Sequence, residues 1–301
     1  MTMPRQALKG STYLVTKRCI ERRCLIVPRD KVPDILAYCL TNAANTHGID
    51  IHTIATMGNH THSLVTDTEG KIDEYLRDAH STSGRALNCY LGRAGPLWSS
   101  EQTSLVRLED PEEVLEKLVY CIVNPVKANL VDKPEQWPGF KTLPAHLTQA
   151  PKQQKRPDTA YFKRSKLAQE ASLTLTVPPQ FAHMKPAEFQ ALLQEKVNAR
   201  VAELREERRR EGKQVLGARA VLRTSRETRG TSKEEHGARN PTLASKNKKR
   251  RIERLQALGL FRSEYREAYR RYRAGERDVV FPAGTLLMVR RHGVRCEAEP
   301  P

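Results

Sequence analysis

Between residues 12 and 123 the apolar pattern of this chain changes period five times, and the order of those changes limits the fold more than any other feature. Residues 12–17 alternate with period two, as a strand does, and residues 31–46 repeat at helical spacing with Ile35, Leu36, Cys39 and Leu40 facing inward. A second strand is expected near 49–57 and a third at 60–65, joined through Gly58 and Asn59, a hairpin-type pair in the reverse of its strongest order. Residues 72–91 then read as helix, 97–108 as extended chain and 111–123 as helix. The order β-α-β-β-α-β followed by a last helix predicts an α+β domain of ferredoxin-like type, an antiparallel sheet with helices packed on one face.

Within that frame, IHTIATMGNHTHSLVTD (51–67) sets His60 and His62 two residues apart in an extended stretch. Residues i and i+2 of a strand project from the same face, so both imidazoles can reach one metal ion. Nine histidines in 301 residues would give about 0.3 such triplets by chance, so the pair needs support from elsewhere. Tyr120 and Asn124 supply it, sharing one edge of the 111–123 helix at i, i+4. Asp110 or Glu109 is placed to cap that helix and Pro111 to open it. Val114, Leu115, Leu118, Val119, Ile122 and Val123 form its apolar face, whereas Glu113, Glu116, Lys117, Tyr120 and Asn124 fall on the other. A tyrosine serving only as core would sit among the leucines and valines. Asn124 precedes Pro125, so its amide reads equally as a ligand or as a partner for the helix end.

Three segments in register, GSTYLVTKRCIERRCLI (10–26), MGNHTHSLV (57–65) and YCIVNPVKANLV with the downstream WPGF (137–140), make residues 10–140 resemble the HUH-type tyrosine transposases, in particular the REP-associated branch. Gly58 stands where a proline is common in that family, and Ser63 where an apolar residue is usual. The resemblance implies that His60 and His62 bind a divalent metal, Mg²⁺ or Mn²⁺, that Tyr120 is the nucleophile, and that Asn124 occupies a position which in some relatives supplies a third ligand. It also implies single-stranded or hairpin DNA as partner, a 5′-phosphotyrosine intermediate with a released 3′-hydroxyl, and rejoining without ATP. Imidazoles alone would equally suit zinc, so the ion is implied by the family and not by the ligands. Arg18, Arg22 and Arg23, near the end of the first strand, are candidate DNA-phosphate contacts.

Three other function classes share parts of this pattern. A catalytically idle nucleic-acid-binding module would bind without cleaving. A rolling-circle initiator or relaxase would use the same three side chains in replication or conjugation; the Tyr-x-x-x-Asn-Pro-Val signature and the lack of a helicase segment speak against it. A zinc hydrolase would need a further ligand or acid close to the histidines, and Asp67 and Glu69 are the only near acids.

Charge divides the chain. Residues 1–150 hold 17 Lys and Arg against 17 Asp and Glu, and residues 151–301 hold 35 against 18, so the whole excess of +17 lies in the second half. That places most non-specific affinity for DNA in the C-terminal part, unless it is simply a solvated basic tail. The sequence is accordingly divided into a catalytic domain (1–147), a linker (148–185) rich in Gln, Lys and Pro at its start, and a basic, partly disordered helical extension (186–301). In the extension, 186–212 reads as a helix with Phe189, Leu192, Leu193, Val197, Val201 and Leu204 inward. Residues 255–273 read as another helix, with Phe261, Tyr265 and Tyr269 either stacking on bases or docking it, and 281–294 as a short strand or hairpin. Six scattered cysteines without a C-x-x-C pair, no signal-type segment and no apolar run of membrane-spanning length predict a cytoplasmic protein away from membranes, acting as monomer or homodimer.

Overall fold

A computed structural model describes residues 4–101, 103–230, 242–243 and 247–298. Strand β1 (Ser11–Arg18) leads to helix α1 (Val32–His47), the hairpin β2 (Ile49–Thr56) and β3 (His60–Asp67), helix α2 (Ile72–Tyr90), strand β4 (Ser104–Leu108) and helix α3 (Pro111–Lys127). The four strands form one antiparallel sheet in the order β2-β3-β1-β4. This is the ferredoxin-like arrangement that the period changes predict, with two parallel β-α-β crossovers interleaved so that their first strands, β1 and β3, pair at the centre and their last, β2 and β4, lie at opposite edges.

The two crossover helices cover one face of the sheet. Leu40, Ala43 and Ala44 of α1 and Tyr75, Leu76 and Ala79 of α2 pack on Tyr13, Val15, Ile51 and Val65. The opposite face is closed as well, by the helix that follows the sheet. Leu14, Leu64, Val106 and Leu108 receive Val114, Leu118 and Ile122 of α3, and a later helix lies over α3 in turn. Asp110 is the N-cap of α3 in extended conformation with Pro111 at N1, but its carboxylate is turned to Arg250, at 2.5 Å, instead of to the helix backbone.

The stretch expected to be a linker carries the ribbon β5 (Lys152–Lys155) and β6 (Glu170–Leu173), which packs on α1, and a short helix α4 (Ala160–Lys163) whose Phe162 meets Tyr38 edge to face at 5.4 Å. Helix α5 (Pro186–Arg210) is the element over α3. Its Phe189, Leu193, Val197, Val201 and Leu204 are all buried, as their spacing requires, and Leu192 is half-buried. Burying five such side chains stabilises the pairing by roughly 10 kcal/mol before ordering entropy is subtracted.

A short helix α6 (Ala218–Arg223) follows, and then α7 (Lys248–Arg273). Tyr265, Tyr269 and Tyr272 of α7 dock on a small core of Ala268, Val279, Phe281 and Val294, with Tyr265 and Tyr269 stacked at 6.0 Å, so these rings serve packing. The region 281–294, expected as strand or hairpin, is different. Strands β7 (Val280–Phe281) and β8 (Arg295–Cys296) are parallel and are joined by helix α8 (Leu286–His292). Gly293, at φ 63°, ends that helix in the left-handed conformation, and the crossover returns the chain in the same direction.

Both outer strands of the main sheet are covered by the chain itself. Along β2, Thr56 N–H donates to the Phe140 carbonyl at 2.9 Å and Thr142 N–H to that of Ile54 at 2.9 Å. Trp137 is buried there and its indole N–H reaches the Thr56 carbonyl at 2.8 Å. Along β4, Arg107 N–H donates to the Thr242 carbonyl at 3.2 Å. Among the described residues no helix is long and apolar enough to cross a membrane, and the six cysteines are all unpaired thiols.

Candidate active site

His60 is the first residue of β3 and His62 the third, so the pleat sends both rings to the face that α3 covers. The register fixes what lies beside them, for Thr16 of β1 pairs with His62, and Arg18 with His60. The two imidazoles stand edge to face with centroids 4.6 Å apart, and Tyr120 of α3 meets His62 edge to face at 5.2 Å. Of the helix stripe read as polar, Tyr120 therefore turns toward the sheet while Glu116 stays exposed. Tyr120 is half-buried and Asn124 and Glu113 are buried, because α3 is covered on both flanks.

Each imidazole is held at Nδ1. The Thr16 hydroxyl lies 2.8 Å from His62 Nδ1. His60 Nδ1–H donates to the Asn59 side-chain oxygen at 2.6 Å, and Asn59 is fixed in turn by donating its amide N–H to the Arg22 carbonyl at 3.1 Å. Tethers of this kind orient histidines that ligate metals through the other ring nitrogen. Burial, reinforced by His60 and Arg18, pushes the His62 pKa well below the ordinary histidine value, so this imidazole is neutral at neutral pH. The Lys127 ammonium lies 5.2 Å from the centroid of the Tyr120 ring.

Among the described residues no cluster of three or more His, Cys, Asp and Glu side chains could hold a metal. The donor set thus fits a cation that takes two imidazoles and completes its shell with oxygens of another kind, such as amide, water or phosphate. Asn124 sits one helical turn beyond Tyr120. The helix runs on through Pro125 to Lys127, and the Asn124 carbonyl accepts the N–H of its C-cap, Ala128, at 3.0 Å, so the helix ends past this residue. Asp67 lies at the far end of β3, and its carboxylate accepts from the N–H groups of Lys71 at 2.8 Å and Ile72 at 2.9 Å, opening α2. It is a cap, which removes an acid that the hydrolase alternative would need.

The three arginines divide. Arg18 extends from β1 opposite His60 and acts on the His62 charge balance. Arg22 adopts φ 56° and turns its carbonyl to Asn59. Arg23 is ion-paired with Glu227. Three participants, Thr16, Asn59 and Lys127, escaped the sequence reading. Thr16 could have been found once β1 and β3 were aligned in antiparallel register, and Asn59 by its place within the His motif; nothing local marks Lys127. A cleft of about 780 Å³ lies on the other face of the sheet beside α2, Lys17 and Trp98, apart from this constellation.

An α+β domain with two imidazoles on a central strand and a phenol on the covering helix is the class of site that the fold and geometry define. No protein-family model matches the chain, and no curated protein matches it. Among solved structures it is similar to a REP-associated tyrosine transposase bound to a REP hairpin, at 16% identity over 50% of this chain and 86% of that one, with a TM-score of 0.42. It is also similar to a protein of Deinococcus radiodurans described as a transposase, at 18% identity over 39% of this chain and 93% of that one, with a TM-score of 0.29. At such scores the likeness carries no weight for function, which rests on the side chains themselves.

Proposed function

We propose that this chain is a single-strand DNA endonuclease and strand transferase of the tyrosine transposase type, with Tyr120 as nucleophile and His60 and His62 as metal ligands. The observation that supports this reading best is the convergence of the three rings, 4.6 and 5.2 Å between successive centroids, contributed by two elements whose sequences are 58 residues apart.

In this reading the Tyr120 oxygen attacks the scissile phosphorus, the bond from phosphorus to the 3′-oxygen breaks, and that oxygen leaves as a 3′-hydroxyl after taking up a proton. The downstream 5′-phosphate remains esterified to Tyr120. A 3′-hydroxyl of the same or another strand then attacks the phosphotyrosine, and the phenol is released. One phosphodiester is lost and one gained, so no nucleotide cofactor is consumed. The constellation holds the nucleophile on α3, whose packing between the sheet and α5 limits its motion and provides the positioning on which such transfer depends. His60 and His62, with Asn124 as a further oxygen donor, would hold Mg²⁺ or Mn²⁺, which when bound polarises a non-bridging phosphate oxygen. Thr16 and Asn59 orient the two rings, and Lys127 places a positive charge beside the phenol.

The test uses labelled single-stranded and hairpin DNA with Mn²⁺, followed by denaturing electrophoresis. Wild type is expected to carry label covalently and Tyr120→Phe to carry none while still binding DNA. Failure of wild type to form an adduct across a panel that includes the gene's own flanks removes the enzyme reading. An adduct on Tyr120→Phe shows that the nucleophile is another residue.

A further inference from the structure

Beyond α5 the chain runs past both elements that carry the rings. Leu216 and Gly217 donate their N–H groups to the carbonyls of Asn129, at 2.9 Å, and Leu130, at 3.0 Å, which pins this segment to the end of α3. It then crosses the loop after β1, where Arg29 donates to the Leu222 carbonyl at 3.3 Å, Cys24 N–H to that of Thr228 at 2.8 Å and Gly230 N–H to that of Arg22 at 3.1 Å. Its last described residue touches the His60 tether, since a Cβ on Gly230 would come within 2.8 Å of Asn59 Nδ2. Residues 216–230 thus connect the C-terminal end of the tyrosine helix to the turn that opens the histidine strand.

The arginines along this path are not equivalent. Arg205 and Arg208 are bound to Asp132, Arg23 to Glu227 and Arg229 to Glu21. Arg219 and Arg223, one turn apart on α6, are exposed and have no carboxylate partner among the described residues. They line a groove of about 530 Å³ together with Leu216, 51% exposed, and Thr224. Tyr120 and Asn129 are nine residues apart, about 14 Å along a helix axis, and the exposed Lys127 lies on the way. A polyanion engaged at Tyr120 needs cover for its following phosphates over this distance, and the unneutralised charge is stationed there.

We infer that the α6 groove, with Arg219 and Arg223, binds the phosphates of the single-stranded DNA that extends from Tyr120. This rests on the nuclease reading above and adds to it a strand-binding wall supplied by the C-terminal half. Arg205, Arg208 and Arg229 along this path are already paired, so Arg219 and Arg223 bring part of the basic excess of the sequence to this groove as a directed contact. Two arginines neutralising two phosphates account for a salt-dependence slope of about 1.4, at about 0.7 per contact for single strands.

The experiment measures binding of the full chain to fluorescent single-stranded DNA by anisotropy at several salt concentrations. The proteins are wild type, Arg219→Ala/Arg223→Ala, Arg219→Lys/Arg223→Lys, and Arg273→Ala/Arg291→Ala as a charge-matched control on the distant C-terminal unit. The alanine pair is expected to flatten the plot of log K against log salt by about 1.4 and to weaken binding at low salt about tenfold. The lysine pair should keep the slope, and the control should differ little from wild type. If wild type binds and the alanine pair shows the same slope, or the control loses as much, the groove assignment is overturned and the nuclease reading stands. If wild type binds no single-stranded DNA, the nuclease reading falls and the groove assignment with it. Thermal melting of the alanine pair checks its fold, and the lysine pair reports on charge independently of it.

Discussion

Small polar residues decide how the rings are presented. Thr16 contributes one hydroxyl, yet it is the group that meets His62 Nδ1. Outer contacts of this kind are worth about 10–100-fold in metal affinity or activity. Thr16→Val is therefore expected to raise the Mn²⁺ concentration needed for half-maximal adduct formation by that factor, and Thr16→Ser to restore it. Lys127 is exposed. A unit charge at its 5.2 Å from the Tyr120 ring would be worth about 3 kcal/mol at an effective dielectric near 20, and solvent screening reduces this to roughly 1 kcal/mol. Lys127→Ala should slow adduct formation about fivefold without changing Tm. His52, on the bulge of β2, is buried between the Thr176 carbonyl, 2.8 Å from Nδ1, and the Thr66 hydroxyl, 2.7 Å from Nε2. Burial pushes its pKa down to about 4. The folded protein then binds fewer protons than the unfolded chain between about pH 6.5 and 4, so stability is lost as pH falls through this window, by about 3 kcal/mol from this group. Urea midpoints measured at pH 7 and pH 4.5 would show the loss.

At the level of elements, two glycines next to the site answer to different constraints. Gly58 has no positive φ, and a Cβ there would meet only Cys24 Sγ, at 3.9 Å. Gly58→Ala is expected to keep stability within about 0.5 kcal/mol of wild type or to raise it, through a less flexible unfolded chain. At Gly139 a Cβ would stand 2.4 Å from Trp137 Nε1 and 2.8 Å from the Thr56 carbonyl. Gly139→Ala should cost about 1–3 kcal/mol in chemical denaturation, since it forces the strip covering β2 away from the strand. The WPGF motif therefore reads as edge cover. The sheet and its order were legible because each strand and helix of residues 11–127 carries its own period, bounded by Gly48, the Gly58-Asn59 pair and Pro111. The His and Tyr positions were legible for a similar reason, as pleat and helix turn fix their faces. What covers the other flank of α3 was not legible. The apolar stripe of α5 is plain in the sequence, but a stripe does not name its partner, and the pairing of α3 with α5 is set by long-range packing alone. Glu113 was assigned to the wrong environment on the same ground.

For the whole molecule, the C-terminal half is built into the N-terminal half. Helix α5 closes the core over α3, and Arg205, Arg208, Arg250 and Arg254 fasten to Asp132, Glu109 and Asp110 around it. A chain ending at residue 147, where sequence composition suggested a domain boundary, would leave the apolar flank of α3 that α5 covers facing water. Such a fragment is expected to aggregate on expression or to melt at least 10 °C lower, and Leu193→Ala in the full chain should cost about 2–5 kcal/mol. A soluble fragment with native Tm would show that α5 is dispensable.

The strips laid along β2 and β4 reach past the monomer. With Phe140 and Thr142 hydrogen-bonded along β2 and Thr242 bonded to Arg107 on β4, less of either rim is left for a second copy to zip onto. Strand addition by a second copy is thereby disfavoured along β2, and with it the ribbon-like polymers to which open sheets are prone.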